Sequence, residues 1–357
     1  MYSSKLFMQR CFELAQKGSG LVAPNPMVGA VLVNEGRIIG EGWHQEFGEA
    51  HAEVNCFESV KEEDKELLPT STLYVSLEPC AHYGKTPPCT LRILQEKIKE
   101  VIICNKDPFD AVNGKGIELL QQEGIIIQSG LLKEEGLWLN RRFFCFHQHK
   151  RPYIILKWAQ TQQGYFAPLD RSRFQMSNHH SQQLVHHWRT QEAAILVGFK
   201  TALHDDPQLN ARLWQGKQPL RIVFDRTLQL PSTLKMFSDQ APVWVLNELR
   251  DDVQESISYV KIDFSENVLQ QLFKLLYKAN ILSLIVEGGA GLLQSFIDEG
   301  LWDEARVFET ANLLNEGLQA PLLHHAQHHF TNEIFSDKLL FYTQQNPLFT
   351  YTSGMPI

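Results

Sequence analysis

The sequence lacks the segments that direct or anchor a protein to membranes. It contains no apolar run long enough to cross a bilayer, and residues 1–10 show no apolar core or small-residue cleavage site. Basic residues are also in deficit, since 33 Lys and Arg oppose 41 Asp and Glu and give a net charge of −8. Clustered cations are what a nucleic-acid backbone requires. We therefore expect a cytoplasmic protein that binds neither membranes nor nucleic acid, although a small phosphorylated ligand stays possible.

Cysteine is sparse, with 6 residues in a chain of 357, and in the expected reducing cytosol no disulfide framework is expected. In a reducing compartment such cysteines serve as metal ligands or as core residues. A second absence concerns cofactors: no G-x-G-x-x-G follows the first predicted strand after residue 152, so a Rossmann dinucleotide site is not indicated there. The length itself predicts two domains.

Alternating strand and helix patterns over about 145 residues predict a three-layer α/β domain. Within it we predict one helix over residues 134–146, and we interpret the charge run 61–66 as a solvated helix end. The polar stretch from His147 to Pro152 is the predicted linker, and the alternation restarts after it. The predicted domains are therefore residues 1–147 and 152–357, both α/β.

A zinc-ligand pattern dominates the first domain. His51-Ala52-Glu53 is followed by Pro79-Cys80 and then by Cys89. One imidazole and two thiols suit Zn²⁺, and three protein ligands leave a fourth position open, as in catalytic sites. We predict His51, Cys80 and Cys89 as ligands, near a helix start, with Glu53 handling protons. A zinc-held water beside a carboxylate is the machinery for hydrolytic deamination of a pyrimidine-type ring.

A wider set of motifs resembles a known family. Glu78-Pro-Cys-Ala-His-Tyr-Gly-Lys-Thr-Pro-Pro-Cys89, with Ala23-Pro-Asn-Pro-Met-Val-Gly29 upstream and Asp107-Pro108 and Gly114-Lys-Gly116 downstream, is similar to the deaminase half of the bifunctional riboflavin-biosynthesis deaminase/reductases. The resemblance implies a cytidine-deaminase-like fold and a diaminohydroxypyrimidine substrate that carries a phosphoribosylamino group. It also implies that Asn25 binds the pyrimidine edge and that His82 and Lys85 lie near the ribose phosphate.

The second domain resembles the reductase half of the same family. The motifs that carry the likeness are Lys157-Trp-Ala159, Arg189 before Ala193–Gly198, Thr201, Asp205–Arg212, Gln218–Asp225 and Glu287-Gly-Gly. The resemblance implies a dihydrofolate-reductase-like fold that uses NADPH to reduce the ribose to a ribityl chain. Glycines in a strand-to-helix turn also let backbone N–H groups approach a phosphate.

The implied roles in the second domain fall into two groups. The residues implied to contact the dinucleotide are Ala159, Thr201, Asp205, Gly289, Ala290, Gly291, Leu292, Leu293, Gln294 and Ser295. Those implied to face the substrate are Lys157, Arg189, Leu209, Arg212 and Glu287, and the two arginines suit a fork around a phosphate. Two departures from the family pattern are Thr161-Gln162-Gln163-Gly164 in place of Ser-Leu-Asp-Gly, and Gln175 in place of tryptophan.

Several alternatives stay open at this stage. The second domain could be a decayed reductase kept for dimerisation, or the chain could be a structural zinc protein with a small-molecule module. A tRNA or nucleoside deaminase is disfavoured by the long insert between the cysteines and by the acidic balance. The histidine pairs 179–180, 186–187, 324–325 and 328–329 are interpreted as surface-helix residues. We expect a homo-oligomeric enzyme.

Overall fold

The computed structural model describes residues 4–83, 87–170, 174–314 and 316–357. The chain divides into two compact units, Met1–His149 with Phe349–Ile357, and Lys150–Leu348. These bounds differ from the predicted ranges at the end of the chain, because Phe349–Ile357 belongs to the first unit. Within the described residues, no helix has both the length and the apolar character needed to cross a membrane.

The first unit is built on one mixed sheet. Its helices are α1 (Ser4–Gln16), α2 (Ala52–Glu58), α3 (Cys89–Gln95), α4 (Lys115–Gln122), α5 (Lys133–Leu139) and α6 (Arg141–His149), with a 3-10 helix at Glu62–Thr70. Its strands are β1 (Gly29–Asn34), β2 (Arg37–Trp43), β3 (Thr72–Leu77), β4 (Glu100–Asn105) and β5 (Ile126–Ser129), in the order β2-β1-β3-β4-β5. Strands β3, β4 and β5 are parallel, whereas β1 is antiparallel to both neighbours.

Alternate residues of β1 enter two different cores, which places helices on both faces of the sheet. Ala30 and Leu32 pack with residues of α2 and α3, whereas Val31 and Val33 pack with residues of α1. This period-two pattern is what a strand buried on both sides requires. The predicted three-layer α/β arrangement is confirmed.

The predicted helix over residues 134–146 is wrong, because two helices meet at Asn140. The backbone of Asn140 leaves the helical region (φ −102°, ψ 24°), and its amide bonds to Met27. Asn140 Oδ1 accepts from the Met27 N–H at 2.8 Å, and Nδ2 donates to the Met27 carbonyl at 2.8 Å. The Asn140 N–H still donates to the Gly136 carbonyl at 3.2 Å, and its carbonyl accepts from the Phe144 N–H at 3.0 Å, so the break is a change in backbone angle with helical pairing kept on both sides.

The charge run 61–66 is more than a solvated helix end. It opens the 3-10 helix, and the buried Asp64 accepts both guanidinium nitrogens of Arg37 at 2.6 and 2.9 Å. This bidentate ion pair ties the 3-10 helix to the start of β2.

The second unit is larger and has a ten-stranded sheet. Its helices are α7 (His179–Gln191), α8 (Phe199–Asp205), α9 (Val268–Lys278) and α10 (Ala290–Asp298), with a 3-10 turn at Lys235–Phe237. Its strands are β6 (Tyr153–Thr161), β7 (Tyr165–Ala167), β8 (Ala194–Val197), β9 (Leu220–Phe224), β10 (Val243–Asn247), β11 (Asp252–Gln254), β12 (Ile257–Lys261), β13 (Ser283–Val286), β14 (Glu304–Thr310), β15 (Leu318–Gln319), β16 (Ala326–Ile334) and β17 (Asp337–Gln344).

The order of the large sheet is β11-β12-β10-β9-β8-β13-β6-β14-β17-β16, and β7 pairs separately with β15. Strand β6 lies inside the sheet between β13 and β14 and is parallel to both. Val286, the last residue of β13, pairs with Leu156, so Glu287 follows at the level of Lys157. This register brings the basic side chain in the middle of β6 beside the acidic one that follows the carboxyl end of β13, the kind of strand end where ligands bind in open α/β sheets.

Candidate functional site

The three predicted zinc ligands converge in the first unit. His51 is the extended N-cap of α2, Cys80 follows β3 at the third position, and Cys89 is the first residue of α3. His51 Nδ1 lies 3.6 Å from Cys80 Sγ and 3.3 Å from Cys89 Sγ, and all three donor atoms lie within 4.8 Å of one another. The fold therefore brings together three ligands that are far apart in sequence.

This donor set fits a zinc ion. Tetrahedral coordination with ordinary Zn–N and Zn–S bonds places the nitrogen about 3.6 Å from each sulfur, which matches the distances found. The hydrogen bond with Cys89 and the nearby His51 lower the pKa of Cys80, so one thiolate is already favoured. The Cys89 N–H also donates to Cys80 Sγ at 3.3 Å. Within the described residues, these three form the one His, Cys, Asp and Glu cluster with metal-binding geometry.

Glu53 lies in the first turn of α2, two residues beyond His51, and only 3% of its surface is exposed. Burial raises the pKa of Glu53, although the charge of His51 opposes the shift. A carboxyl whose pKa moves towards neutrality can both accept and return a proton. The position beside the ligands is the one predicted for a proton carrier.

Asn25 reaches the same region through a histidine that the sequence analysis did not single out. Asn25 Nδ2 lies 3.1 Å from His44 Nε2, and His44 Nδ1 lies 3.1 Å from the Ala50 carbonyl. The His44 ring meets the His51 ring edge-on, with centroids 5.3 Å apart. A single histidine outside any motif gives no signal in the sequence.

Glu78 holds the loop that presents Cys80, a role that the sequence analysis missed. Its buried carboxylate accepts backbone N–H bonds from Asp107, Gly114, Gly116 and Ile117 at 2.9 to 3.3 Å. These donors include the start of α4, where a negative charge is stabilised. Glu78 belongs to the Glu-Pro-Cys motif, so the sequence pointed to this residue but did not indicate its structural role.

The two predicted phosphate contacts are only partly placed. His82 is exposed on the loop after Cys80, with its ring 6.2 Å from the ring of Phe109. Lys85 lies outside the described residues. The roles of both residues stay predictions.

The second unit brings three of the predicted substrate residues together. Arg189, in the last turn of α7, makes a bidentate ion pair with Glu287 at 2.8 and 2.8 Å, and Lys157 Nζ lies 3.5 Å from the same carboxylate. Although burial opposes ionisation, the charges of Arg189 and Lys157 lower the pKa of Glu287 to about 2. Burial lowers the pKa of Lys157, and Arg189 adds to that effect.

A cavity of about 850 Å³ opens over this cluster. Four of the predicted substrate residues, Lys157, Arg189, Leu209 and Arg212, line it together with Asp205. Gln175, the departure from the family's tryptophan, is also in the wall. The cavity has a cationic side that a phosphorylated ligand would match.

The predicted cofactor segment forms a tight turn against α8. Gly289 has φ +71°, and a Cβ on Gly288 would approach Thr201 Cγ2 and Val197 to 2.9 Å, so the turn needs glycine. A Cβ on Gly291 would meet no atom within 4 Å, so the first turn of α10 faces open space. Backbone N–H groups at such a helix start suit a dinucleotide phosphate.

The other predicted cofactor residues vary in their surroundings. Ala159 lies two residues after Lys157 in β6 and therefore on the same face of the sheet. Leu293 is fully buried in the core, Gln294 bonds to Leu322 and Asp298, and Ser295 donates to the Gly291 carbonyl. Ala290 and Leu292 stand in the first turn of α10.

The interpretation of the histidine pairs as surface-helix residues is wrong for several of them. His186, on α7, is only 4% exposed and lines the cavity. Its Nδ1 lies 3.5 Å from the Leu213 N–H. His328 and His329 belong to β16, and His324 and His325 precede that strand. Helical spacing alone could not separate the buried histidine of α7 from its exposed neighbours.

Comparison with known proteins covers both units. Residues 1–105 match the cytidine and deoxycytidylate deaminase zinc-binding region, and residues 152–316 match the RibD C-terminal domain. The riboflavin biosynthesis protein RibD of Aquifex aeolicus is 40% identical over 88% of this chain and 88% of its own length. That of Bacillus amyloliquefaciens is 36% identical over 89% and 86%.

The chain belongs to the RibD family. Among solved structures, the Thermotoga maritima diaminohydroxyphosphoribosylaminopyrimidine deaminase/5-amino-6-(5-phosphoribosylamino)uracil reductase is 34% identical, with a TM-score of 0.85 over 95% of this chain and 98% of that one. Acinetobacter baumannii RibD is 29% identical, with a TM-score of 0.86 and the same coverage.

Membership of the RibD family confirms the predicted fold class, a cytidine-deaminase-like domain followed by a dihydrofolate-reductase-like domain. It also confirms a bifunctional enzyme of riboflavin biosynthesis that is both a hydrolase and an oxidoreductase and acts on small molecules. Zinc and NADPH are its cofactors.

Proposed function

We propose that the first unit deaminates 2,5-diamino-6-(5-phosphoribosylamino)pyrimidin-4-one and that the second reduces the product, 5-amino-6-(5-phosphoribosylamino)uracil, at its ribose. The observation that carries this proposal is the triad of His51, Cys80 and Cys89 beside the buried Glu53. The Thermotoga maritima relative, similar along nearly the whole chain, is named for the same two reactions. We assign residues 1–147 to the deaminase and residues 152–357 to the reductase, except that Phe349–Ile357 belongs to the compact deaminase unit.

In the deaminase unit, His51, Cys80 and Cys89 would hold zinc, which supplies Lewis acidity and lowers the pKa of water. The reaction forms a bond from the water oxygen to the ring carbon and breaks the bond to the amino nitrogen. Protons must therefore move from water to the ring nitrogen and to the departing ammonia. Glu53 carries them, because its carboxyl is buried beside the ligands and its pKa is raised. Asn25 orients the pyrimidine, and the family resemblance assigns contacts with the ribose phosphate to His82 and Lys85.

In the reductase unit, bound NADPH would supply a hydride to the anomeric carbon of the ribose, while the bond from that carbon to the ring oxygen breaks and the oxygen takes up a proton from water. The segment Gly289–Ser295 with Ala159, Thr201 and Asp205 would hold the dinucleotide. Arg189 and Arg212 bind the ribose phosphate, and Leu209 packs on the substrate. Glu287 fixes the orientation of both Lys157 and Arg189 through ion pairs of 3.5 and 2.8 Å, so the cations are arranged before the substrate arrives.

We also propose a homo-oligomer in the cytoplasm. The six cysteines are all free thiols, and thiol ligands and NADPH belong to a reducing compartment. Enzymes of this size commonly form symmetric oligomers, and light scattering of the purified protein gives the state directly.

The central experiment supplies the diaminopyrimidine substrate and follows ammonia release and NADPH oxidation with the same protein. A chelator should stop ammonia release, while the reduction of separately supplied aminouracil substrate continues. Glu53→Gln should lower ammonia release by about 100- to 10,000-fold with zinc still bound. The matched control is Glu58→Gln, an exposed carboxyl on the same helix, which should keep full activity.

Unchanged ammonia release in Glu53→Gln with bound zinc would remove Glu53 as proton carrier. Deamination without NADPH oxidation would favour the alternative of a decayed reductase, and calorimetry with NADPH would then test whether the cofactor binds at all.

A further inference from the structure

The side chain of Asn140 makes hydrogen bonds to one residue far away in sequence, Met27. It is 4% exposed at the junction of α5 and α6, and both atoms of its amide bond to the backbone of Met27 at 2.8 Å. This is the pairing that a neighbouring strand would give Met27, supplied here by a side chain. A buried amide that is fully satisfied in this way fixes its partner in position.

The segment that Asn140 holds leads into the deaminase site. Asn25 stands two residues before Met27, between Pro24 and Pro26, whose rings restrict the backbone. On the other side, the Val28 carbonyl accepts from the His44 N–H at 3.0 Å. Fixing Met27 therefore fixes both Asn25 and His44, which meet at 3.1 Å beside the His51 ring.

The other side of the Asn140 junction is held by the last part of the described chain. The Pro356 carbonyl accepts from Trp138 Nε1 at 3.0 Å and from Arg141 Nη1 at 3.4 Å. The Trp138 ring meets Tyr351 edge-on at 5.1 Å, and the Arg141 guanidinium lies 4.2 Å from the Trp138 ring. Both Trp138 and Arg141 are almost fully buried, so losing the Pro356 carbonyl would be costly.

The segment Phe349–Ile357 also joins the core under the loop of Asn25. Met355 packs on the same apolar cluster as Met27, and Phe349 is buried with its ring 6.4 Å from that of Phe144. Side chains from the segment thus surround the α5–α6 junction, while Asn140 points from that junction to Met27.

We propose that Asn140 is a positioning residue of the deaminase site, and that the segment Phe349–Ile357 holds it in place. Residues that follow the reductase unit in sequence then belong to the substrate-orienting machinery of the deaminase. This inference rests on the proposed role of Asn25 in binding the pyrimidine.

The decisive measurement compares Asn25→Ala, Asn140→Ala and the double variant in steady-state deamination. We expect Asn140→Ala to raise KM on the order of tenfold, with a smaller effect on kcat, because two hydrogen bonds that orient the loop are lost. The double variant should be no worse than Asn25→Ala, because Asn140 acts through Asn25. Zinc content and NADPH oxidation with separately supplied aminouracil substrate should stay at the wild-type level.

The outcomes separate the two ideas. If Asn25→Ala leaves KM unchanged, the proposed role of Asn25 fails. If Asn25→Ala raises KM but Asn140→Ala does not, or if the two effects multiply, the positioning role fails. Gln122→Ala, an exposed amide removed from α4 of the same unit, is the matched control and should behave as wild type.

A milder variant decides the matter if Asn140→Ala is insoluble. Trp138→Phe keeps the aromatic contact with Tyr351 but loses the bond to the Pro356 carbonyl, and it should raise the deamination KM about two- to fivefold. Removal of Phe349–Ile357 should raise it further and leave the reductase rate unchanged. A shortened chain with wild-type deamination KM would overturn the part assigned to the segment.

Discussion

The site of the first unit gathers donors that require a cation, whereas the cavity of the second gathers cations that require an anion. His51, Cys80 and Cys89 offer one nitrogen and two sulfurs within 4.8 Å of one another. Lys157 and Arg189 instead share one carboxylate, that of Glu287. The first site is completed by its metal, and the second is arranged in advance and leaves positive charge for a phosphorylated ligand.

The two sites also differ in how the chain assembles them. The ligands of the first unit lie at or near the ends of α2, β3 and α3, so the single stretch of residues 51–89 contains them all. The residues of the second come from β6, α7, the stretch 205–212 and the end of β13. A substitution in the first site should therefore affect only metal binding and deamination. A substitution in the second should also affect the residues that are joined to it by ion pairs.

The largest expected effect tests the locality of the metal site. Cys80→Ala removes one of three ligands, so the zinc content should fall towards zero and deamination should drop more than about 1,000-fold. NADPH oxidation with aminouracil substrate should be unchanged. Metal analysis and the two assays on one preparation measure this. Cys56→Ala, which removes a buried thiol from α2 without touching the triad, is the control and should keep both zinc and activity. Parallel loss of both activities would contradict a local effect.

A second prediction concerns the shared carboxylate. Glu287→Gln leaves the partly buried Lys157 and Arg189 without their counter-charge, so the unfolding free energy should fall by about 3 kcal/mol, at the low end for breaking a buried pair. The kcat/KM of reduction should fall on the order of 100-fold, because both cations lose their fixed orientation. Urea unfolding and NADPH oxidation test this.

The control for that variant is Glu309→Gln, since the Glu309 carboxylate lies 3.9 Å from Lys338 in a surface pair. Such pairs contribute about 1 kcal/mol or less. If the two variants lost the same unfolding free energy, the claim that Glu287 holds Lys157 and Arg189 in place would be wrong.

The sequence predicted the metal site because the residues of its motif are the ones that the fold brings together. The alternation of strand and helix patterns likewise predicted the three-layer domain, whose strands β1 and β3 are buried along almost their whole length. It failed at Asn140, where the backbone leaves the helical region while the side chain bonds to Met27. No local property of residues 134–146 encodes a partner more than a hundred positions away.

Several elements of the second unit were not predicted from the sequence, and the reasons differ from element to element. Helix α9 has its buried residues Leu269, Leu272, Phe273 and Leu276 at helical spacing, so its signal was available. The short strands β7, β11 and β15 give almost no pattern. The ion pairs of Glu287 depend on the parallel register of β13 with β6, which pattern alone does not fix.

The smallest expected effect is a pH dependence of stability that comes from His186, beside the cations of the second site. Burial, together with the charges of Arg189 and Arg212, lowers the pKa of His186 to about 4. The unfolded chain binds this proton near the ordinary histidine value of about 6.5, so between about pH 6.5 and 4 protons favour the unfolded state. Stability of the wild type should therefore fall as the pH falls through that window, by on the order of 2–3 kcal/mol from this residue.

His186→Gln should flatten this part of the profile, because glutamine takes up no proton in either state. His179→Gln, at an exposed position of the same helix, serves as the comparison and should keep the wild-type slope. Urea unfolding followed by fluorescence at several pH values between 7.5 and 4 measures both. The positive charge that suits an anion in the cavity would thus also weaken proton binding by His186. If the unfolding free energy of the two variants had the same slope against pH, that positive charge would have no effect on His186.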